Sequence, residues 1–260
     1  MARSARADAL VRAILSLGDS SLRASYVASI GRSWDMTVFA HTLDVICERA
    51  EQAEASTREA LLAVVDALNA EGMEEVVQRL REQAAGESLL ALERLVRMPV
   101  RSSAPPPRPA ERVREGRDGA MTLGQRKSLA RRPNRDTIAR VLGDSHPDVI
   151  RRVLRNPRVT EDDVVRVAAR RPSYAAVLAE LARSTKWSHR PRVRMALVMN
   201  PSTPPEIAAR IAGLLLRPEL ELVARSPAVP PSVRAVCFEH LARRPPVDHA
   251  GRGGQGGRIH

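Results

Sequence analysis

The chain has 260 residues, of which 43% are hydrophobic and 28% charged, enough to bury the core of one or two domains of ordinary size. Two widely separated cysteines, Cys47 and Cys237, exclude a disulfide framework and a cysteine-rich metal cluster. No apolar run reaches the roughly 18 residues that a membrane span needs. The cysteine usage fits a reducing compartment, so we expect a cytoplasmic protein. Since only 2% of the residues are aromatic, we expect a core of Leu, Val, Ile and Ala.

The net charge of +12 is unevenly distributed along the chain. Residues 1–98 contain 11 Arg and 15 acidic residues, a net charge of −4, whereas residues 99–260 carry +16. This asymmetry predicts two units with different surfaces.

The acidic part, residues 1–98, is predicted to be a domain of about five helices. Its apolar residues recur every three or four positions, which is typical of amphipathic helices. The N-terminal segment is rich in Arg and Ser, as a transit peptide is, but Leu10, Ile14 and Leu17 stand at helical spacing. We therefore interpret it as the first helix. The sequence Ser-Thr-Arg-Glu at 56–59 predicts a capping box for a later helix.

Two segments have compositions that do not favour a packed core. Residues 99–119 are rich in Pro, Ser and Arg, which predicts an extended interdomain linker; a Pro-x-x-Pro ligand at 106–109 is the alternative. Residues 246–260 are predicted to be a disordered Gly-rich tail, and the sequence GRGGQGGR at 251–258 resembles an RNA-contacting segment.

Residues 120–245 repeat a short pattern in which a proline corner is followed by an amphipathic helix. Pro133 to Pro157 and Pro201 to Pro227 are steps of 24 and 26 residues. Thr160 predicts a helix cap, and a second helix is predicted to begin at Pro204. Helices this short are unstable alone, so stacked neighbours must bury their apolar faces. The prediction is an all-α chain with a C-terminal α-solenoid of short helical repeats.

Two places depart from the repeat. The sequence VVRVA at 164–168 is β-branched enough for a strand, although the preceding Thr160 cap and the following Ala-Ala-Arg-Arg favour a helix. Residues 173–190 fit no register of the repeat.

The repeats resemble the leucine-rich repeat variant family of bacterial α-solenoids and, more loosely, HEAT-like repeats. The resemblance is carried by Arg-Asn-Pro at 155–157, Met-Asn-Pro at 199–201 followed by Ser-Thr-Pro-Pro-Glu-Ile, and the segments Asp-Val-Ile-Arg at 148–151 and Pro-Arg-Val-Arg at 191–194. It covers roughly 125–245. It implies α-helices alternating with shorter, often 3₁₀, helices in a superhelix. Some members carry an iron–sulfur cluster on extra cysteines, which this sequence lacks, so the resemblance implies no cofactor.

Catalytic and metal-binding motifs are absent from the sequence. There is no HExxH, paired CxxC or P-loop. Cys237 and His240 are spaced for one metal ion, but two ligands do not make a site, and a core cysteine is the simpler interpretation. We expect no metal, no cofactor and no enzyme. A cavity joining Trp187, His189 and an acid would be needed for the enzyme alternative.

The arginines of the repeats are the candidate functional residues. We expect Arg131, Arg155, Arg171 and Arg225, each close before a proline, to align along one edge. The full candidate set is Arg131, Arg152, Arg155, Arg158, Arg170, Arg171, Arg190, Arg192, Arg194 and Arg225. A row of arginines suits an acidic protein surface, and a protein-interaction scaffold is the first hypothesis. Binding of a nucleic-acid backbone is the alternative. Since only two of the 42 basic residues are Lys, a solvated face produced by a GC-rich genome also explains the arginines.

Overall fold

The computed structural model describes residues 2–99 and 121–244, and every feature below belongs to these ranges. All the regular structure in them is helical, which confirms the all-α prediction. The predicted linker, except residue 99, the Pro-x-x-Pro segment and the predicted tail lie outside the described residues.

Residues 2–99 form six helices, one more than the sequence analysis resolved. They are α1 (Ala2–Ser16), α2 (Ser20–Ser33), α3 (Met36–Glu51), α4 (Ala55–Asn69), α5 (Glu74–Gly86) and α6 (Leu90–Val96). The additional helix is α2. The Asp19 side chain caps it by accepting hydrogen bonds from the backbone amides of Ser21 and Leu22.

The capping box predicted at 56–59 is wrong. Helix α4 begins at Ala55, ahead of that segment, and no side chain caps its first turn. The Thr57 hydroxyl instead donates to the carbonyl of Glu54 at 3.0 Å. A hydroxyl inside the first turn points back at a carbonyl, so it cannot serve the free amides that a cap satisfies.

All six helices contribute to one apolar core. Phe39, Leu43 and Ile46 from α3 are fully buried in it. Helices α2 and α3 approach closely at Gly31, where a β-carbon would lie 3.1 Å from Cε1 of Phe39. Leu214, far along the chain, packs into the same core. The first half therefore receives part of its packing from the second.

Residues 121–244 form ten further helices, most of them two or three turns long. They are α7 (Leu123–Leu129), α8 (Arg135–Val141), α9 (Pro147–Val153), α10 (Glu161–Ala169), α11 (Ala175–Arg183), α12 (Thr185–Ser188), α13 (Pro191–Met199), α14 (Pro205–Ala212), α15 (Arg217–Arg225) and α16 (Pro231–Arg243). VVRVA at 164–168 lies in α10, so the helical interpretation of that segment is confirmed.

Prolines and capping side chains set the starts of these helices. Thr160 and Asp163 form a capping box at α10, as the predicted cap required. Helix α14 begins at Pro205, one residue later than predicted, with Pro204 in the preceding extended position. Thr203 donates its hydroxyl to a carbonyl of α13 at 2.6 Å, and no side chain caps the new helix.

Two asparagines tie successive proline corners together. Asn156 Nδ2 donates to the carbonyls of Ala130 and Arg132, both at 3.0 Å. Asn200 Nδ2 likewise donates to two carbonyls at the end of α10, at 2.6 and 2.9 Å. Each amide oxygen accepts from the backbone amide two residues further on. The same buried contact thus recurs at both Asn-Pro corners. The helices themselves are all α in the described residues, without the 3₁₀ helices that the family resemblance implied.

The segment 173–190, which fits no repeat register, forms α11 and the single-turn α12. Trp187 anchors it, since its side chain is buried and Nε1 donates to the Leu154 carbonyl at 3.0 Å. The insertion is therefore a packed part of the second half's core.

The two halves pack against each other along one row of helices. Helix α4 contacts α11 and α14, α2 contacts α12, and α6 contacts α14. Arg183 Nε donates to the Asn69 carbonyl at 3.1 Å, and Arg210 Nη1 donates to Asn69 Oδ1 at 2.7 Å. Helices α2, α4 and α6 therefore form the side of the first half that packs against α11, α12 and α14.

Candidate functional site

Four exposed arginines lie on two neighbouring turns of the second half. Arg131 and Arg132 are on the turn between α7 and α8, and Arg155 and Arg158 are on the turn between α9 and α10. The Asn156 hydrogen bonds hold these turns side by side. A bond from the Arg135 guanidinium to the Arg158 carbonyl, at 3.2 Å, adds a second link. We call these four residues the arginine edge.

The positive charge of the arginine edge is not cancelled locally. Within residues 2–99 and 121–244, no carboxylate lies within ion-pair distance of any of its four guanidinium groups. The acid bonded beside it, Asp163, is held by Arg135 through contacts of 2.6 and 2.9 Å. The hydrogen bond from Arg135 lowers the pKa of Asp163 far below its usual range, so that carboxylate is already matched.

A second pair of turns carries fewer arginines. Arg170 and Arg171 are exposed at the end of α10, and the Arg171 guanidinium donates to the Met199 carbonyl at 2.5 Å. At the positions that correspond to Arg155 and Arg158, the opposing corner has Met199 and the buried Ser202, which carry no charge. Asn200 joins these two turns as Asn156 joins the first two. The backbone geometry of the corner therefore repeats, but the four-arginine cluster does not.

The remaining predicted arginines are dispersed. Arg192 forms an ion pair with Asp162 at 2.7 Å. Arg152 lies half-buried on α9, Arg190 is exposed at the start of α13, and Arg225 is exposed at the end of α15. These four do not join the arginine edge.

Arg194 points away from this surface and into the contact between the halves. Its Nη1 donates to the carbonyls of Ser188 and His189 at 3.2 and 3.0 Å. Burial lowers its pKa. Of the four arginines expected to align, Arg131 and Arg155 are neighbours, whereas Arg171 belongs to the second pair of turns.

Sequence reasoning missed Arg132 and the buried ionic group between the halves. Arg132 had a visible signal, since it stands beside Arg131 before the same proline. No sequence signal pointed to the buried group, because its members Glu51, Arg94 and His240 are far apart in the sequence. Arg94 donates to both carboxylate oxygens of Glu51 at 2.8 and 2.6 Å, and His240 Nδ1 lies 3.4 Å from Glu51 Oε1.

Burial and pairing oppose each other at this ionic group. Burial alone raises the pKa of Glu51, but the adjacent His240 ring and the hydrogen bonds from Arg94 outweigh it and lower the pKa to about 2. Burial lowers the pKa of His240. The Glu51–Arg94 pair joins α3 to α6, and His240 of α16 lies beside it.

The side chains with catalytic or metal-binding potential occupy structural positions. His189 Nε2 lies 2.6 Å from Asp66, but Trp187 is turned into the core of the second half. Burial raises the pKa of Cys237 to about 12, so its thiol stays protonated. Over the described ranges, no cluster of three or more His, Cys, Asp or Glu side chains could hold a metal ion.

Neither part of the described chain contains a helix with the length and apolarity of a membrane span. Comparisons of the whole chain with protein-family models, with curated proteins and with solved structures return no match.

Proposed function

We propose that this protein is a non-catalytic interaction scaffold whose arginine edge binds an acidic protein surface. The observation that carries the proposal is the group of four exposed arginines on adjacent turns with no acidic partner among the described residues. Guanidinium groups bind carboxylates through paired hydrogen bonds. The bonds that hold the two turns together keep the arginines in place before a partner arrives, which reduces the entropy lost on binding.

The distribution of acids favours a protein partner over a nucleic-acid backbone. Exposed Asp136 lies on the helix beside the arginine edge, where its charge would oppose a phosphate backbone lying along the edge. A protein surface of mixed charge can match such a pattern locally. With 2% aromatic residues, the chain also offers few platforms for base stacking.

The experiment places a photoreactive residue at Arg158 and identifies its adducts in the native host. We expect a reproducible adduct with one protein, lost when Arg131→Glu and Arg155→Glu are introduced together. The matched control is Arg3→Glu with Arg12→Glu, an equal charge change on exposed positions of α1. An adduct that survives the edge substitutions, or that both variants abolish, would contradict the proposal.

Nucleic-acid binding is tested separately with a labelled duplex across a salt series. Under the proposal, the Arg131→Glu, Arg155→Glu variant and the control bind the duplex equally weakly. Tight binding at low salt whose salt dependence falls only in the edge variant would support the alternative, because each lost phosphate contact reduces the slope by about one.

A further inference from the structure

A small pocket lies where α4 meets α13 and the turn after α14. Its volume is about 150 Å³, and its lining includes Arg58, Arg194, Leu61, Leu62 and Gly213. Because liquid water occupies about 30 Å³ per molecule, the pocket has room for about five waters, or for one tetrahedral oxyanion with a few waters. Two of the lining residues, Arg58 and Arg194, are cations that face the same small space.

Arg58 has no partner for its charge in the described chain. Its guanidinium forms no hydrogen bond or ion pair with residues 2–99 or 121–244. The neighbouring acid in the lining, Glu59, is bonded to Arg23 at 2.7 Å instead. Arg58 is half-buried, so water neutralises its charge only in part.

Arg194, on the other side of the pocket, is also incompletely satisfied. Its Nη1 donates to two backbone carbonyls, while its Nε is buried and lacks an acceptor among the described atoms. The two acids that act on it are engaged elsewhere: Glu219 accepts from the Leu216 amide at 2.6 Å, and Asp66 contacts His189. Neither pairs with Arg194.

A third cation, Arg244, stands behind the pocket wall. Its guanidinium donates to the carbonyls of Gly213 and Leu215, and its Nε has no described acceptor. Burial lowers the pKa of Arg244 to about 10, and the like charge of Arg58 adds to this effect. Burial likewise lowers the pKa of Arg194; Glu219 and Asp66 oppose that shift and Arg58 adds to it. An anion between these groups would relieve their mutual repulsion.

We propose that this pocket binds a phosphate group through the guanidinium groups of Arg58 and Arg194. The group is either inorganic phosphate or the phosphate of a small monoester, and in the second case the remainder of the ligand extends past the exposed Glu59 at the rim. Guanidinium pairs are the preferred protein ligands for phosphate oxygens. Because Arg58 belongs to the first half and Arg194 to the second, the bound anion links the two halves.

The test is calorimetric titration of the full chain with sodium phosphate, and separately with a nucleoside monophosphate, against chloride at equal ionic strength. We expect saturable binding of phosphate and a raised unfolding temperature that chloride does not reproduce. Arg58→Ala is expected to weaken binding by about tenfold or more, as removal of a charged hydrogen-bonding group does. Tighter binding of the monoester than of phosphate identifies the ester as the ligand, and equal binding identifies the free anion.

Three variants keep the test independent of folding and of the arginine edge. Arg58→Ala loses no intramolecular bond that the structure describes, so it is expected to fold. Arg58→Glu supplies a carboxylate beside Arg194 and is expected to abolish phosphate binding. Arg131→Ala with Arg155→Ala removes two exposed cations and is expected to leave phosphate affinity unchanged. Phosphate binding that is equal to chloride binding, unaffected at Arg58, or lost in the edge variant would overturn the proposal.

Discussion

Replacement of Glu51 by Leu tests how much the buried Glu51–Arg94 ion pair stabilises the fold. The Glu51 carboxylate accepts two hydrogen bonds from Arg94, and both side chains are more than nine-tenths buried. Glu51→Leu leaves the Arg94 guanidinium in the interior without its counter-charge. Removal of one member of a buried pair typically lowers the free energy of unfolding by about 3–5 kcal/mol. That is a large fraction of the roughly 5–15 kcal/mol that stabilises an average domain.

The assay is equilibrium unfolding in urea, followed by far-ultraviolet circular dichroism. Glu59→Leu is the matched control, because Glu59 pairs with Arg23 at a similar distance but has a side chain 53% exposed, and it should cost no more than about 1 kcal/mol. Glu51→Leu combined with Arg94→Met replaces both charges by apolar groups and should recover most of the loss. A loss for Glu51→Leu no greater than that for Glu59→Leu would refute the reasoning.

Three further predictions follow from buried groups. As the pH falls from about 4.5 towards the pKa of about 2 for Glu51, the wild-type urea midpoint should fall, because the unfolded chain takes up the proton first; the midpoint of Glu51→Gln should change less over that range. Asn200→Ala should lower the free energy of unfolding by about 2–3 kcal/mol in urea, since two carbonyls lose their donor, whereas Asn134→Ala should cost about 1 kcal/mol through a lost helix cap. Cys47 and Cys237, both fully or nearly fully buried, should react with a thiol reagent only at the rate of unfolding; fast native-state labelling would contradict this.

Helix positions in the second half were the most predictable feature, because proline and capping residues act locally. Pro147, Pro191 and Pro231 are each the first residue of a helix, where the missing amide costs nothing. The Thr160 cap correctly decided between strand and helix for the residues that follow. Such signals depend only on the neighbouring three or four residues, so they can be identified from the sequence without knowledge of the tertiary structure.

The helix α2 was missed because its sequence lacks a strong apolar period. It contains five serines and a glycine, and Gly31 is the point at which side chains of other parts of the chain, Phe39 among them, pack closely against the helix. Close packing of this kind compensates for poor helix propensity. No local sequence pattern in α2 indicates which residue of another helix will pack against Gly31.

The fate of individual arginines could not be predicted for the same reason. Arg192 and Arg194 are two positions apart on α13, yet one forms an exposed ion pair and the other is turned into the contact with α4. Positions two apart on a helix face different directions. Which face of α13 is exposed to solvent depends on how the first half packs against it, and the sequence of α13 alone does not indicate this.

The end of α4 has a consequence for how the chain can be divided and altered. The backbone carbonyl of Asn69 accepts a hydrogen bond from Arg183, and its side-chain oxygen accepts one from Arg210. These arginines lie 114 and 141 positions further along the chain. A fragment that stops at residue 99 keeps the acceptors and loses the donors, and a fragment that starts at residue 121 does the reverse. Mixed together, the two fragments should reassemble. In evolution, a replacement at position 69 should be accompanied by a compensating replacement at 183 or 210.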